Sequence, residues 1–426
     1  MAAPSLATLF AESLRIGALG FGGPAGQIAL MHRVFVVERQ WVDEVRFQRM
    51  LAFCMLLPGP EAQQLAAYVG WRLRGWAGAL IAGWLFVIPG ALIVLGLSWL
   101  YVVYGAAPLV AAAFDGIKCA VVALVVEALV KVGKRALKTR AALAIAAAAF
   151  VALILDAPFP LVIIGAGVLG ATLLASSLAG EGGPGAGASG VLNAAPRGSA
   201  APFKHALLWL MLWLAPVAAL GLTLGPDHVL FQIAQLFSIL ACVTFGGAYA
   251  LLAYLAAEAA ARGWLTTAQM IDGLGLAETT PGPLILVNEF VGFLAGWSAD
   301  GLGLALAGAA VALWCTFAPS FVWIFAGAPL AERLEANPRA AGALAAITAA
   351  VLGVIAKLAV FFAMHALFTR QITLGPVELP DPAAAQIWMI ALALGAGVAL
   401  IRFKANLLLV LTICALAGLA AGLAGL

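Results

Sequence analysis

The residues of this chain best placed for chemistry are glycines and prolines set inside apolar stretches. There they free backbone N–H groups that an unbroken helix would consume. One set reads Phe21-Gly22-Gly23-Pro24, then Arg39-Gln40-Trp41, then Pro58-Gly59-Pro60, then Gly70-Trp71. About 224 residues further on, a second set reads Phe245-Gly246-Gly247, Arg262-Gly263-Trp264, Pro281-Gly282-Pro283 and Gly292-Phe293. The interval from Trp to the first Pro is 17 residues in both. A helix that restarts in an apolar medium carries roughly half a positive charge and free N–H groups at its N-terminus, a ready seat for a negative group. Gly22 and Gly23 let the backbone approach closely, and Pro24 suits the first turn of the helix that follows. Pro58-Gly59-Pro60 does the same for a helix starting at Glu61, and with the second copy up to four such ends can converge. Gly-Gly and Pro-Gly-Pro also serve as packing or kinking devices, and the sequence leaves that reading open.

Ionisable side chains inside apolar stretches are the second source of chemistry. Arg15, about two turns before the first break, and Lys118, beside Gly116, can each supply positive charge. Arg15 can equally snorkel to an interface, as Arg72 and Arg74 are expected to do. Glu61, Glu278 and Glu289 flank the Pro-Gly-Pro breaks, with Gln63, Gln64 and Asn288 as neutral partners. A poorly solvated carboxylate can carry a proton through a transport cycle. Glu61 can instead satisfy the helix dipole. Asp115 is spaced to pair with Lys118, Glu127 to pair within its bundle, and Lys357 to serve a site or an acid. His32, His205, His228 and His365 are dispersed, so no metal or other cofactor is expected. The five cysteines lack CxxC spacing, and no GxxxxGK[ST] run marks an ATP-driven pump.

These residues must be held by membrane helices. Apolar residues make up 65% of the chain and charged residues 10%, against about a quarter charged in a soluble domain. The mean hydropathy is +1.09. Net charge is +3, which says little about nucleic acid, but no basic run interleaves with aromatics and no nucleic-acid partner is expected. The N-terminal apolar stretch lacks a basic lead and reads as a first span, not a cleaved signal peptide. Stretches 6–37 and 44–73 are interrupted at the breaks and either cross once or fold back as re-entrant hairpins. Plainer spans follow at 76–104, 108–131, 141–155 and 161–179. A glycine-rich linker over 180–202 and one span at 203–224 precede the second copy. That copy runs 229–262, 266–297, 301–326, 340–368, 384–401 and 405–425.

The expected fold is an all-α polytopic membrane protein of about 13 spans, two six-span repeats of inverted topology joined by one extra span. Repeat 1–180, linker with connecting helix 181–228, and repeat 229–426 are the expected domains. Charge agrees with inversion. The loop carrying Lys131, Lys134, Arg135, Lys138 and Arg140 reads as cytoplasmic, whereas its counterpart at 369–382 carries Arg370 against Glu378 and Asp381.

The order Phe-Gly-Gly-Pro, Arg-x-Trp, Leu57-Pro58-Gly59-Pro60-Glu61-Ala62-Gln63-Gln64, Gly70-Trp71 and Phe86-Val87-Ile88-Pro89-Gly90 closely resembles the chromate ion transporter family. The second half, with Glu278-Thr279-Thr280-Pro281-Gly282-Pro283, resembles the second domain of its two-domain, long-chain members. Ala248 stands where the first copy has Pro24, so the second break should be softer. The resemblance implies a secondary active exporter of chromate in the bacterial inner membrane that confers chromate resistance, driven by the proton gradient or by anion exchange. It implies no enzymatic activity. The partners expected are the oxyanion and the lipid bilayer, with a homodimer permitted. Sulfate or another dianion, and a passive anion channel, stay as alternatives. The residues expected to hold the anion are Gly22, Gly23, Pro24, Pro58, Gly59, Pro60, Gly246, Gly247, Pro281, Gly282 and Pro283, with Arg15 and Lys118. Glu61, Glu278 and Glu289 are expected in proton coupling.

Overall fold

The computed structural model describes residues 4–172, 202–245, 248–328, 337–374 and 377–425. The first half forms α1 (Leu6–Leu19), α2 (Gly23–His32), α3 (Glu44–Cys54), α4 (Glu61–Tyr104), α5 (Pro108–Ala136), α6 (Arg140–Ile154) and α7 (Phe159–Thr172). The second half forms α8 (Pro202–Leu224), α9 (Val229–Val243), α10 (Ala248–Ala261), α11 (Thr267–Thr279), α12 (Val287–Gly327), α13 (Pro338–Leu367), α14 (Ile387–Ile401) and α15 (Leu407–Leu423). Five of these helices, some extended by a turn, are long and apolar enough to cross a bilayer, and five shorter apolar ones accompany them among the described residues. The chain is a polytopic, all-α membrane protein. One departure is a two-stranded hairpin, Gln371–Leu374 against Val377–Pro380, within the 369–382 loop.

At 44 residues α4 would be roughly 66 Å long if straight, twice the ~30 Å hydrocarbon thickness. It is not straight. Arg74 (φ −140°, ψ 25°) and Gly75 (φ 63°, ψ −153°) turn the chain between a short leg, 61–73, and a long one. The short leg doubles back: a Cβ on Gly70 would run into Gly78 O, and one on Gly78 into Gly70 O. Small residues let the two legs touch backbone to backbone. α12 repeats the device with near-identical dihedrals at Asp300 (φ −158°, ψ 40°) and Gly301 (φ 71°, ψ −156°). There Gly292 faces Gly308 O at 2.6 Å from its would-be Cβ. The short leg of α4, about 20 Å, cannot cross the membrane alone.

The helices gather into two compact units. One comprises Met1–Leu95, Ala179–Ala248 and Thr280–Gly342, the other Gly96–Leu178, Tyr249–Thr279 and Ala343–Leu426. Each draws segments from both halves of the sequence. In the first unit α12 packs on α9 and α8. In the second, α5 packs on α15, α14 and α11. Ala120, Ala123, Leu124, Leu400, Leu411 and Cys414 are among the buried residues of that core. Gly116 meets Cys414 O and Gly418 meets Ala112 O so closely that any Cβ would clash, which sets the α5–α15 crossing.

Candidate functional site

The breaks fall where glycine and proline chemistry puts them. α2 starts at Gly23 with Gly22 as its N-cap (φ 85°) and Pro24 in its first turn. Gly23 itself has φ 66°. No atom lies within 4 Å of a Cβ built on Gly22 or Gly23, so positive φ, and not lack of room, is what requires glycine there. Gly59 (φ 107°) and Gly282 (φ 103°) sit at the tips of the two Pro-Gly-Pro turns. Proline has no N–H, so each tip offers one backbone donor, that of its glycine.

Those two donors are used reciprocally. Gly59 N–H donates to Thr244 O at 2.8 Å, and Gly282 N–H donates to Gly20 O at 3.0 Å. Gly20 and Thr244 are the residues immediately before Phe21 and Phe245. The Pro-Gly-Pro turn of each copy therefore docks on the residue at the end of the helix that precedes the other copy's Phe-Gly-Gly. Gln27, fully buried, ties the arrangement together by donating to Gly282 O at 2.5 Å and to Gly20 O at 3.3 Å. Gln64 donates to Pro58 O at 2.6 Å, bracing the first turn from within. Gly90 packs directly on Pro281 O.

A small cavity of about 30 Å³ opens at this junction, lined by Pro24, Gln27, Gly59, Pro60, Glu61, Ala62, Thr244, Pro283, Leu284 and Ile285. Three helical N-termini border it. They belong to α2, to α4 and to the 3-10 turn Leu284–Leu286 that leads into α12. Each contributes free N–H groups and partial positive charge. Glu61 brings a carboxylate to the first turn of α4 in the same cavity. The volume admits roughly two waters, so a four-oxygen anion needs the turns to part.

Pro24, Gly59, Pro60, Glu61 and Pro283 thus line one cavity, and Gly22, Gly23, Pro58, Pro281 and Gly282 adjoin those residues in the chain. Gly246 and Gly247 lie outside the described residues. Arg15 does not line the cavity. It pairs with Glu38 at 3.0 Å and Glu12 at 3.4 Å, and Arg39 also binds Glu12. Lys118 is in the second unit, 2.8 Å from Asp115 as its spacing implied, and 3.8 Å from Asp272. Glu278, also in the second unit, accepts from the Tyr249 hydroxyl at 2.5 Å. Glu289 is buried, and its Oε2 has no hydrogen-bond partner among the described residues. Lys357 faces Asp156 at 3.6 Å, and Glu127 pairs with Lys131 at 2.6 Å. No group of three or more His, Cys, Asp or Glu lies together among the described residues.

Sequence reasoning passed over Gln27, Thr244, Tyr101 and Asp272. Gln27 carried a usable signal, a lone amide three residues after Pro24 in an apolar run. Thr244 carried none, because it acts through its carbonyl.

Apolar helices, paired breaks and helix termini aimed at one cavity define a polytopic membrane protein of the transporter class. The model of the chromate transporter family matches residues 7–171 and 231–419, and the chain belongs to that family. It is 32% identical over 354 residues to a chromate transport protein of Pseudomonas aeruginosa, covering 82% of this chain and 78% of the relative. To a probable chromate transport protein of Synechococcus elongatus it is 30% identical, covering 83% of each. A chromate transport protein of Cupriavidus metallidurans is 29% identical, over 80% of this chain and 79% of the relative. No solved structure matches.

Proposed function

We propose that this protein is a secondary active transporter that exports chromate across the bacterial inner membrane, confers resistance to it, and is driven by the proton gradient or by anion exchange. Relatives named for chromate transport, about 30% identical over most of the chain, support the substrate. The observation that carries the site is the convergence of three helix N-termini on one cavity. Chromate is a tetrahedral dianion whose oxygens accept hydrogen bonds, and helix N-termini supply donors with positive potential. The anion is held by the breaks at Gly22-Gly23-Pro24 and Gly246-Gly247 and by both Pro-Gly-Pro turns, with Arg15 and Lys118 as further sources of positive charge. Glu61, Glu278 and Glu289 are the carboxylates proposed to carry the coupling proton.

The repeats 1–180 and 229–426, joined through 181–228, are proposed to be inverted within about 13 spans. The reciprocal bonds of Gly59 and Gly282 support a two-fold relation between the copies, and the basic 131–140 loop against its less basic counterpart at 369–382 supports placing that axis in the membrane plane.

The test is labelled chromate in vesicles holding the purified protein. A carrier concentrates chromate when a pH gradient or an opposing anion gradient is imposed. A passive channel brings the label to equilibrium and no further, and a sulfate carrier leaves labelled sulfate uptake insensitive to chromate. Either result would overturn the proposal.

A further inference from the structure

The second unit holds a charge cluster around Lys118 whose two carboxylates have been given no part so far. Lys118 Nζ lies between two carboxylates, 2.8 Å from Asp115 Oδ1 and 3.8 Å from Asp272 Oδ1. The Tyr101 hydroxyl donates to Asp272 Oδ2 at 2.8 Å. Asp115 and Lys118 are one turn apart on α5, Asp272 is on α11, and Tyr101 is in the last turn of α4. Exposure grades across the cluster: the side chain of Asp115 is 46% exposed, that of Lys118 16%, that of Asp272 7%.

The charges do not balance. Two carboxylates and one ammonium leave one negative charge in excess, and at the enclosed Asp272 an uncompensated charge is costly. A proton is the cation small enough to cancel it without opening the packing. Asp115, the less enclosed of the two carboxylates, holds Lys118 by the shorter contact. Asp272 is the buried member, and its Oδ1 makes no hydrogen bond among the described residues. Tyr101 holds Oδ2, which leaves Oδ1 as the oxygen open to a proton. The remaining titratable groups on the elements packed against α11 are Glu127, paired with Lys131, and Lys134 and Arg135 in the last turn of α5, with two thiols, Cys119 on α5, which donates to Asp115 O, and Cys414 on α15. On α11 itself Glu278 is engaged by Tyr249.

We infer that Asp272 is a proton-exchange site of the transport cycle, set by Lys118 and Tyr101. An O–H bond forms on Oδ1 as an O–H bond of hydronium on the acidic side breaks and water is released, while Lys118 stays with Asp115. The bond breaks when Lys118 swings back to Asp272, and the proton leaves to water on the other side. The inference rests on the proposed proton-coupled reading and adds a carboxylate remote in sequence from the Pro-Gly-Pro breaks.

The experiment compares wild type, Asp272→Asn, Asp272→Glu and Tyr101→Phe in vesicles, reading pH-gradient-driven chromate accumulation and chromate–chromate exchange at equal pH. Asp272→Asn should lose accumulation at least tenfold and keep most of the exchange, and Asp272→Glu should restore part of the accumulation. Tyr101→Phe removes a hydrogen bond to the charged carboxylate, so the pH profile of driven uptake should move upward by roughly half to one pH unit. Wild-type accumulation in Asp272→Asn overturns the inference and leaves proton coupling standing. So does loss of both activities in Asp272→Asn without rescue by Asp272→Glu, or an unmoved profile in Tyr101→Phe. A wild type that accumulates nothing under a pH gradient removes the proton-coupled reading and this inference with it.

Discussion

Gly90→Ala puts the docking of the second Pro-Gly-Pro turn to a direct test. Gly90 lies inside α4, where alanine is intrinsically favoured over glycine by about 1 kcal/mol. The surroundings oppose that gain. A Cβ at Gly90 would overlap Pro281 O, lie 2.7 Å from Leu286 Cδ1 and 3.2 Å from Gly282 Cα. Two of these neighbours are backbone of the turn itself and cannot rotate away. Overpacking of this kind costs about 1–3 kcal/mol. If the turn retreats, the Gly282 N–H to Gly20 O bond is strained or lost, about 1 kcal/mol more. Against the propensity gain, the net is a destabilisation of about 1–3 kcal/mol. Gly96→Ala, on the same helix with nothing within 4 Å, supplies the control and should be neutral or stabilising by up to about 1 kcal/mol. The assay is thermal unfolding of both variants and wild type in one detergent, with chromate binding measured on each. Gly90→Ala should melt lowest and bind chromate at least tenfold more weakly, because Pro283 at the cavity moves with the turn. If it melts as high as Gly96→Ala and binds like wild type, the close approach is wrong and the cavity is not set by this contact.

Three other outcomes are expected. Gly22→Val or Gly23→Val forces a β-branched residue to positive φ, a cost of about 1–3 kcal/mol, and should weaken chromate binding severely while leaving membrane insertion intact; wild-type affinity in vesicles would place the site elsewhere. Glu61→Gln should abolish pH-driven accumulation yet leave exchange of labelled chromate, and full pH-driven transport would reduce Glu61 to capping the α4 dipole. Reporter fusions should put the 131–140 and 370–382 loops on opposite sides of the membrane, and finding both on one side would rule out inverted repeats.

The helix breaks that border the candidate site were legible before any fold was known, because a helix break is a local event. Positive φ at Gly22 and Gly23 and the missing donors of Pro58 and Pro60 act within a few residues of chain, so α2 and α4 begin where composition says they should. The Asp115–Lys118 pair was legible for the same reason, since three residues along a helix bring side chains to one face. The sequence by itself determined the membrane class, the position of the breaks at Gly22-Gly23-Pro24 and at both Pro-Gly-Pro turns, and which residues could cap or pair locally.

The tertiary structure alone decided what each break meets. That Gly59 should bond Thr244 and Gly282 should bond Gly20 depends on backbone atoms almost two hundred residues or more apart, and a carbonyl carries no residue signature. Gln27 became a clamp because packing brought Gly282 O to its amide, and Asp272 became the partner of Lys118 because α11 lies on α5. The sequence reading already separates 44–73 from 76–104, and the turn falls between them at Arg74-Gly75, but that the short leg doubles back on the long one depends on Gly70 meeting Gly78 across it. Local chemistry fixes where a chain can bend; only the packing of distant segments fixes which free donors and charges end up facing one another.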